Sequence, residues 1–105
     1  INNDTFDQSD NVKIFISILG EQNIPDAMKI ASDLRKNTNL NINIESNRRS
    51  LKSQMREANR QKCSYVIIIG ENELQNKIVL IKNMKNGEQE NIAIKDLNTY
   101  FDKNI

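Results

Sequence analysis

The chain has 105 residues, with 15 Lys and Arg against 14 Asp and Glu, no histidine and one cysteine. That length suits one domain able to bury its own core. Lack of histidine removes imidazole metal sites, histidine proton shuttles and Ser-His-Asp or Cys-His arrangements, and the lone Cys63 allows neither an internal disulfide nor a cysteine metal cluster.

No catalytic residue and no metal ligand is therefore expected here. No apolar run approaches the ~18 residues of a membrane span, and no basic-then-apolar signal segment opens the chain. It reads as a soluble, cytoplasmic protein with no membrane partner. Residues 1–11 begin with Ile1 rather than Met and read as a linker remnant, so that the domain proper is expected over 12–105 of a longer protein.

From Val12 to Leu19 the residues are apolar on both faces apart from Lys13 and Ser17, the pattern of an internal strand in a covered sheet. Gly20 ends it. Pro25 fits the first turn of a helix whose Ala27, Ile30, Ala31 and Leu34 keep the i, i+3, i+4, i+7 spacing up to Lys36-Asn37. Leu40, Ile42 and Ile44 then alternate with Asn41, Asn43 and Glu45, predicting a strand with one wet face.

The run Arg48 to Arg60 predicts an amphipathic helix. At 3.6 residues per turn Arg49, Lys52, Arg56 and Arg60 fall on one side, and Leu51, Met55 and Ala58 on the other, where they would pack on a sheet. Residues 48–62 hold six of the fifteen basic residues and one acid, Glu57, giving this window +5 and the rest of the chain −4. Such polarity attracts phosphate before any base is read, although a solvated helix face is the commoner fate of a charged stripe. Cys63, between this helix and the next strand, reads as a small buried hydrophobe.

Tyr65-Val66-Ile67-Ile68-Ile69-Gly70 is short, continuously apolar and β-branched, as a central buried strand is. Two βα units precede it, and right-handed crossovers make these three strands parallel with helices on the faces. Ile78 to Lys82 and Gln89 to Ile94 flank Asn86-Gly87, a hairpin signal, and should pair antiparallel. Leu97, Tyr100 and Phe101 at helical spacing predict a last helix packed on the sheet. The expected class is three-layer α/β/α with a mixed five-stranded sheet: βαβαβ, a hairpin and a C-terminal helix.

Two enzyme-like readings fail on particular residues. A flavodoxin-like phosphoacceptor domain needs aspartates at the ends of strands one and three, which here read Leu19-Gly20-Glu21 and Gly70-Glu71. A dinucleotide site needs a G-x-G-x-x-G loop, and neither Gly20 nor Gly70 belongs to one.

Ser50-Leu51-Lys52-Ser53-Gln54-Met55, Gly70-Glu71-Asn72-Glu73-Leu74 and Asn86-Gly87-Glu88-Gln89, in this order and spacing, resemble the C-terminal anticodon-binding domain of histidyl-tRNA synthetases over about residues 12 to 101. The resemblance implies sheet order 2-1-3-4-5 and a domain that helps hold the anticodon stem-loop of a histidine tRNA. It also implies a homodimeric parent whose class II catalytic core, with ATP and Mg²⁺, histidylates that tRNA. No cofactor and no catalysis are implied for this segment itself.

In such relatives anticodon bases are contacted by an Asn before the basic helix, a Glu after the third strand and a basic residue late in the fourth. The matching positions are Asn47, Glu73 and Lys82, with Lys where an Arg is commonly seen; Lys is the weaker bidentate partner. Phosphate contact falls to Arg49, Lys52, Arg56 and Arg60. A carboxylate suits base amino and imino groups and repels phosphate, so Glu73 is a base reader if it touches RNA, and otherwise a helix-start residue favoured by the dipole. The competing reading of the whole chain is a synthetase-derived regulatory or dimerisation module without catalysis.

Overall fold

The most apolar runs become the inner strands of the sheet, and the more polar Asn41–Ile44 and Gln89–Ala93 become its edges. A computed structural model describes residues 12–38, 40–44 and 50–104, the side chains of 103 and 104 excepted. The segment read as a linker remnant, and the loop carrying Asn47 and Arg49, lie outside the described residues.

The elements in chain order are β1 (Lys13–Ile18), a 3-10 turn (Glu21–Asn23), α1 (Ile24–Asn37), β2 (Asn41–Ile44), α2 (Leu51–Arg60) and β3 (Tyr65–Ile69). There follow α3 (Glu71–Gln75), β4 (Ile78–Asn83), β5 (Gln89–Ala93), a 3-10 turn (Ile94–Asp96) and α4 (Leu97–Asn104). The sheet order is β2-β1-β3-β4-β5. β1 pairs parallel with β2 and β3, while β3 with β4 and β4 with β5 are antiparallel, so the fold is the expected mixed five-stranded α/β sheet.

The two faces of the sheet are unequal. On one, Ile14, Ile16, Ile18, Ile67, Ile69, Val79 and Ile81 meet Ala27, Ile30, Ala31 and Leu34 of α1 and Leu97 and Phe101 of α4 in the larger core. Phe101 also sets its ring edge-on to Tyr65 at 5.5 Å and to Tyr100 at 5.1 Å between centroids, geometries that favour aromatic pairs. On the other face Phe15, Val66 and Ile68 pack with Ala58 and Cys63, edged by Leu19, Met55, Leu80 and Met84. Cys63 is buried as expected, and burial pushes its thiol pKa up.

Local chemistry sets the element ends. Gly20 has φ +98, a conformation that favours glycine, and a Cβ there would meet the Gln22 and Asn23 side-chain amides at 3.0 to 3.1 Å. The β4–β5 hairpin turns through 84–88, a longer loop than a two-residue Asn-Gly turn. Gly87 alone takes positive φ there, at +77, and Asn83 Oδ1 accepts from the Lys85 and Asn86 amides.

Candidate nucleic-acid interface

The basic helix is held by one side of its wheel and shows the other to solvent. Ser50 caps it, its hydroxyl accepting from the Ser53 amide at 3.2 Å, so the described helix starts at Leu51. Lys52 and Arg56 are exposed, and the Arg60 side chain is 75% exposed. These three follow one another at i, i+4 and i+8, about 6 Å of rise apart, as a row of cations on the outer surface. Ser53, Arg56, Glu57 and Arg60 line a shallow depression on that surface.

One member of the row already has a partner. Arg60 donates from Nε to Glu57 Oε1 at 3.1 Å and also pairs through Nη2 with Oε2, and the Glu57 contacts push the Arg60 pKa further up. Gln61 Nε2 donates to the same Glu57 carboxylate. The only acid in α2 is thus tied down, leaving Lys52 and Arg56 to dominate the outward field.

The inward side differs from expectation. Ala58 is buried and Met55 half-buried, but Leu51 is 38% exposed, and the side chain that takes its expected place in the interface is Gln54, fully buried. On the wheel Gln54 and Ala58 are one turn apart and point straight at β1, whereas Leu51 and Met55 lie toward the flank. Gln54 Oε1 accepts from the Ser17 hydroxyl at 2.6 Å and from the Ile18 amide at 3.0 Å, and its Nε2 donates to the Ile18 carbonyl at 3.1 Å.

The position of this clasp has a cause in the sheet. The β1–β2 ladder ends at the Ile16–Ile44 pair, while β1 continues against β3 to Ile18–Ile69. The Ile18 peptide groups on the β2 side would be orphaned, and a buried unpaired peptide is costly. The Gln54 amide, which carries one donor and one acceptor group like a peptide, pairs both of them. At the other end of the helix, Gln61 Oε1 accepts from Asn43 of β2 at 3.0 Å, and the Gln61 carbonyl faces Lys13 Nζ at 3.5 Å. Thus α2 runs antiparallel to β1, with its start over the carboxyl ends of the strands and its finish over their amino ends. Gln54 and Ser17 are the residues missed by reading periodicity alone; the only sequence signal was a polar residue on the packing side of the helix and another, Ser17, beyond Phe15 on the facing side of β1.

The sites expected to read bases are spread over the sheet. Glu73 is half-buried after the carboxyl end of β3, at the third position of α3, and its Oε1 lies 2.6 Å from where a Cβ on Gly70 would stand. A side chain at 70 would push that carboxylate aside, whereas the φ of −131 suits any residue. In this position the carboxylate faces the positive end of the helix, the helix-start role considered for it.

Lys82 is paired with Val66 near the opposite end of β3, half-buried, on the same sheet face as α2. About 10 Å of strand separates that level from the end of β3. Glu73 and Lys82 are therefore not brought together, and Lys82 belongs with the finish of α2. Asn47 and Arg49 lie outside the described residues. Glu71 and Glu73 stand at the carboxyl end of β3, where Gln22 Nε2 reaches Glu71 Oε1 at 3.5 Å, while Lys13 and Lys82 stand toward the amino end.

Among the described residues no three His, Cys, Asp or Glu side chains converge as a metal site, and no helix is long and apolar enough to cross a membrane. Comparison with known proteins agrees with the layout of sheet and helices. Histidine-tRNA ligase of Thermosipho africanus is 44% identical over 79 residues, covering 75% of this chain and 19% of that protein. Histidine-tRNA ligase of Staphylococcus saprophyticus is 36% identical over 97 residues, covering 92% and 23%. The chain thus spans about a fifth of the length of the curated relatives it matches.

Among solved structures, apo Staphylococcus aureus histidyl-tRNA synthetase superposes with a TM-score of 0.79 at 35% identity over 90% of this chain and 24% of that one. Histidyl-tRNA synthetase from Nostoc sp. PCC 7120 gives 0.82 at 23% identity over 90% and 21%, a likeness of fold. A family model described as "Anticodon binding domain" matches residues 13–104, and the chain belongs to that family.

Proposed function

We propose that this domain holds the anticodon arm of a histidine tRNA, positioning it for ATP-dependent histidylation by a catalytic core elsewhere in a cytoplasmic, homodimeric histidine-tRNA ligase. The observation that carries the reading is the exposed Lys52, Arg56 and Arg60 row on a helix whose opposite side is clasped to the sheet by Gln54. In this reading the row, with Arg49, meets phosphates. Glu73 and Asn47 read unstacked bases at the carboxyl end of the sheet, and Lys82 meets a different nucleotide near the finish of α2. In this reading ATP and Mg²⁺ belong to the parent's catalytic core and not to this domain.

Binding of this chain to a histidine anticodon stem-loop, against the same loop with altered anticodon bases, at fixed salt, tests the reading. The wild type should prefer the histidine loop. Glu73→Gln replaces one acceptor oxygen by a donor and should shrink that preference by about 1 to 3 kcal/mol, the size of a good base-edge contact, with little change in affinity for the altered loop. Equal binding of both loops by the wild type would remove base reading from this domain.

A further inference from the structure

Among the described residues, two that are not glycine have positive φ, and both are lysines: Lys62 at +60 and Lys77 at +58. Each follows the last turn of a helix at the position where glycine is most favoured. After α2 the Lys62 amide donates to the Asn59 carbonyl at 3.0 Å and the Cys63 amide to the Ala58 carbonyl at 3.0 Å, the paired bonds of a Schellman ending. After α3 the Lys77 amide donates to the Leu74 carbonyl at 3.1 Å. Left-handed backbone strains a lysine and not a glycine, so each site has a backbone reason to be Gly.

Their surroundings differ. Lys77 follows an α3 that carries Glu71 and Glu73 and precedes β4 at the acidic end of the sheet. Lys62 continues the α2 row past Arg60. Beside it Lys13 Nζ faces the Gln61 carbonyl, and Lys82 stands on the same sheet face, level with Val66. From Leu51 to Ser64 the only acid is Glu57, which is held by Arg60 and Gln61. Lysines from a turn, from β1 and from β4 thus stand toward the finish of α2.

We propose that Lys62 is a phosphate-contacting residue, carrying the cationic track from α2 around the turn toward Lys13 and Lys82, so that the bound RNA backbone continues over the amino end of the sheet. This rests on the RNA-binding reading above. The cationic surroundings, and not the backbone that it shares with Lys77, single out Lys62, and affinity and stability should respond with opposite signs to its replacement by glycine.

The test is a titration of the 105-residue chain and its variants with the histidine anticodon stem-loop at several salt concentrations, beside thermal unfolding. Lys62→Gly should melt a few degrees higher yet bind roughly fourfold more weakly near 0.15 M salt, with a log K against log salt slope shallower by about 0.7 to 0.9. Lys62→Asn, tolerated in the same backbone conformation, should weaken binding equally. Lys77→Gly should gain the same thermal stability and bind as wild type. Wild-type binding and slope in Lys62→Gly, while Lys52→Ala and Arg56→Ala still weaken binding, would overturn the proposal and leave the α2 interface standing. A wild type that binds no stem-loop would overturn both.

Discussion

The two helical layers of this sheet are attached by different physics. The α1/α4 layer adheres through a broad apolar surface, with Phe101, Leu34 and the Ile14–Ile16–Ile18 row all buried. The α2 layer rests on a small apolar patch around Phe15, Val66 and Ala58, and gains its orientation from the Gln54 clasp on Ser17 and Ile18. Apolar contact is strong but non-directional, whereas a paired amide is directional. One layer therefore supplies most of the stability, and the other holds a highly charged helix, with few apolar positions to spare, at one fixed angle.

The difference can be broken most forcefully on the apolar side. Phe101→Ala removes a fully buried ring that contacts both Tyr65 and Tyr100 and should cost about 3 to 5 kcal/mol in denaturant unfolding. Gln54→Ala leaves the Ile18 peptide and the Ser17 hydroxyl buried without that partner and should cost about 2 to 3 kcal/mol. Gln54→Glu keeps an acceptor but has no amide donor for the Ile18 carbonyl, and should also destabilise. A Gln54→Ala loss below 0.5 kcal/mol, on the order of an ordinary surface change, would mean the clasp does not hold the helix. Met55→Ala, at a half-buried edge, should cost less, about 1 kcal/mol.

The smallest effect depends on pH. Tyr100 donates its hydroxyl to Glu90 Oε2 at 3.0 Å, joining α4 to the edge strand β5. Burial first, and then the Glu90 bond and charge, push its pKa up to about 12. Folding thus favours the protonated phenol: its stabilisation is complete below the unfolded pKa near 10 and is lost as pH rises from about 10 to about 12. Tyr100→Phe should cost up to about 1 kcal/mol at neutral pH. It should also flatten part of the alkaline fall in stability, which unfolding at pH 8, 10 and 11.5 would reveal.

Those contrasts also mark what was legible in the sequence. β1, β3 and α1 could be read because each carries its own pattern: β-branched runs for the strands and i, i+3, i+4, i+7 spacing for the helix. The sheet order followed from the resemblance, and the direction of the pairings from βα alternation and a hairpin signal. Gln54 was opaque because a buried polar residue is explained only by its partner, and Ser17 lies 37 positions away. Leu51 was misassigned because a wheel built on hydrophobicity alone turned the helix toward its apolar flank. Lys62 and Lys77 gave no sign of left-handed backbone, which sequence announces mainly through Gly and Asn. Glu73 and Lys82 could be named as candidates, but their separation needed the register of β3 with β4.

The central claim is that the outer side of α2 binds RNA while its inner side carries stability, and Lys52→Ala/Arg56→Ala measured by two readouts tests it most directly. A histidine anticodon stem-loop titrated across several salt concentrations should bind the wild type with a log K against log salt slope of roughly −2 to −4. The double variant should bind more weakly, with a slope shallower by about 1.5, each lost phosphate contact contributing about 0.7 to 0.9. Its unfolding free energy should stay within about 0.5 kcal/mol of wild type, as exposed substitutions generally do. A salt-independent wild type, or a double variant that binds equally well, would contradict the account.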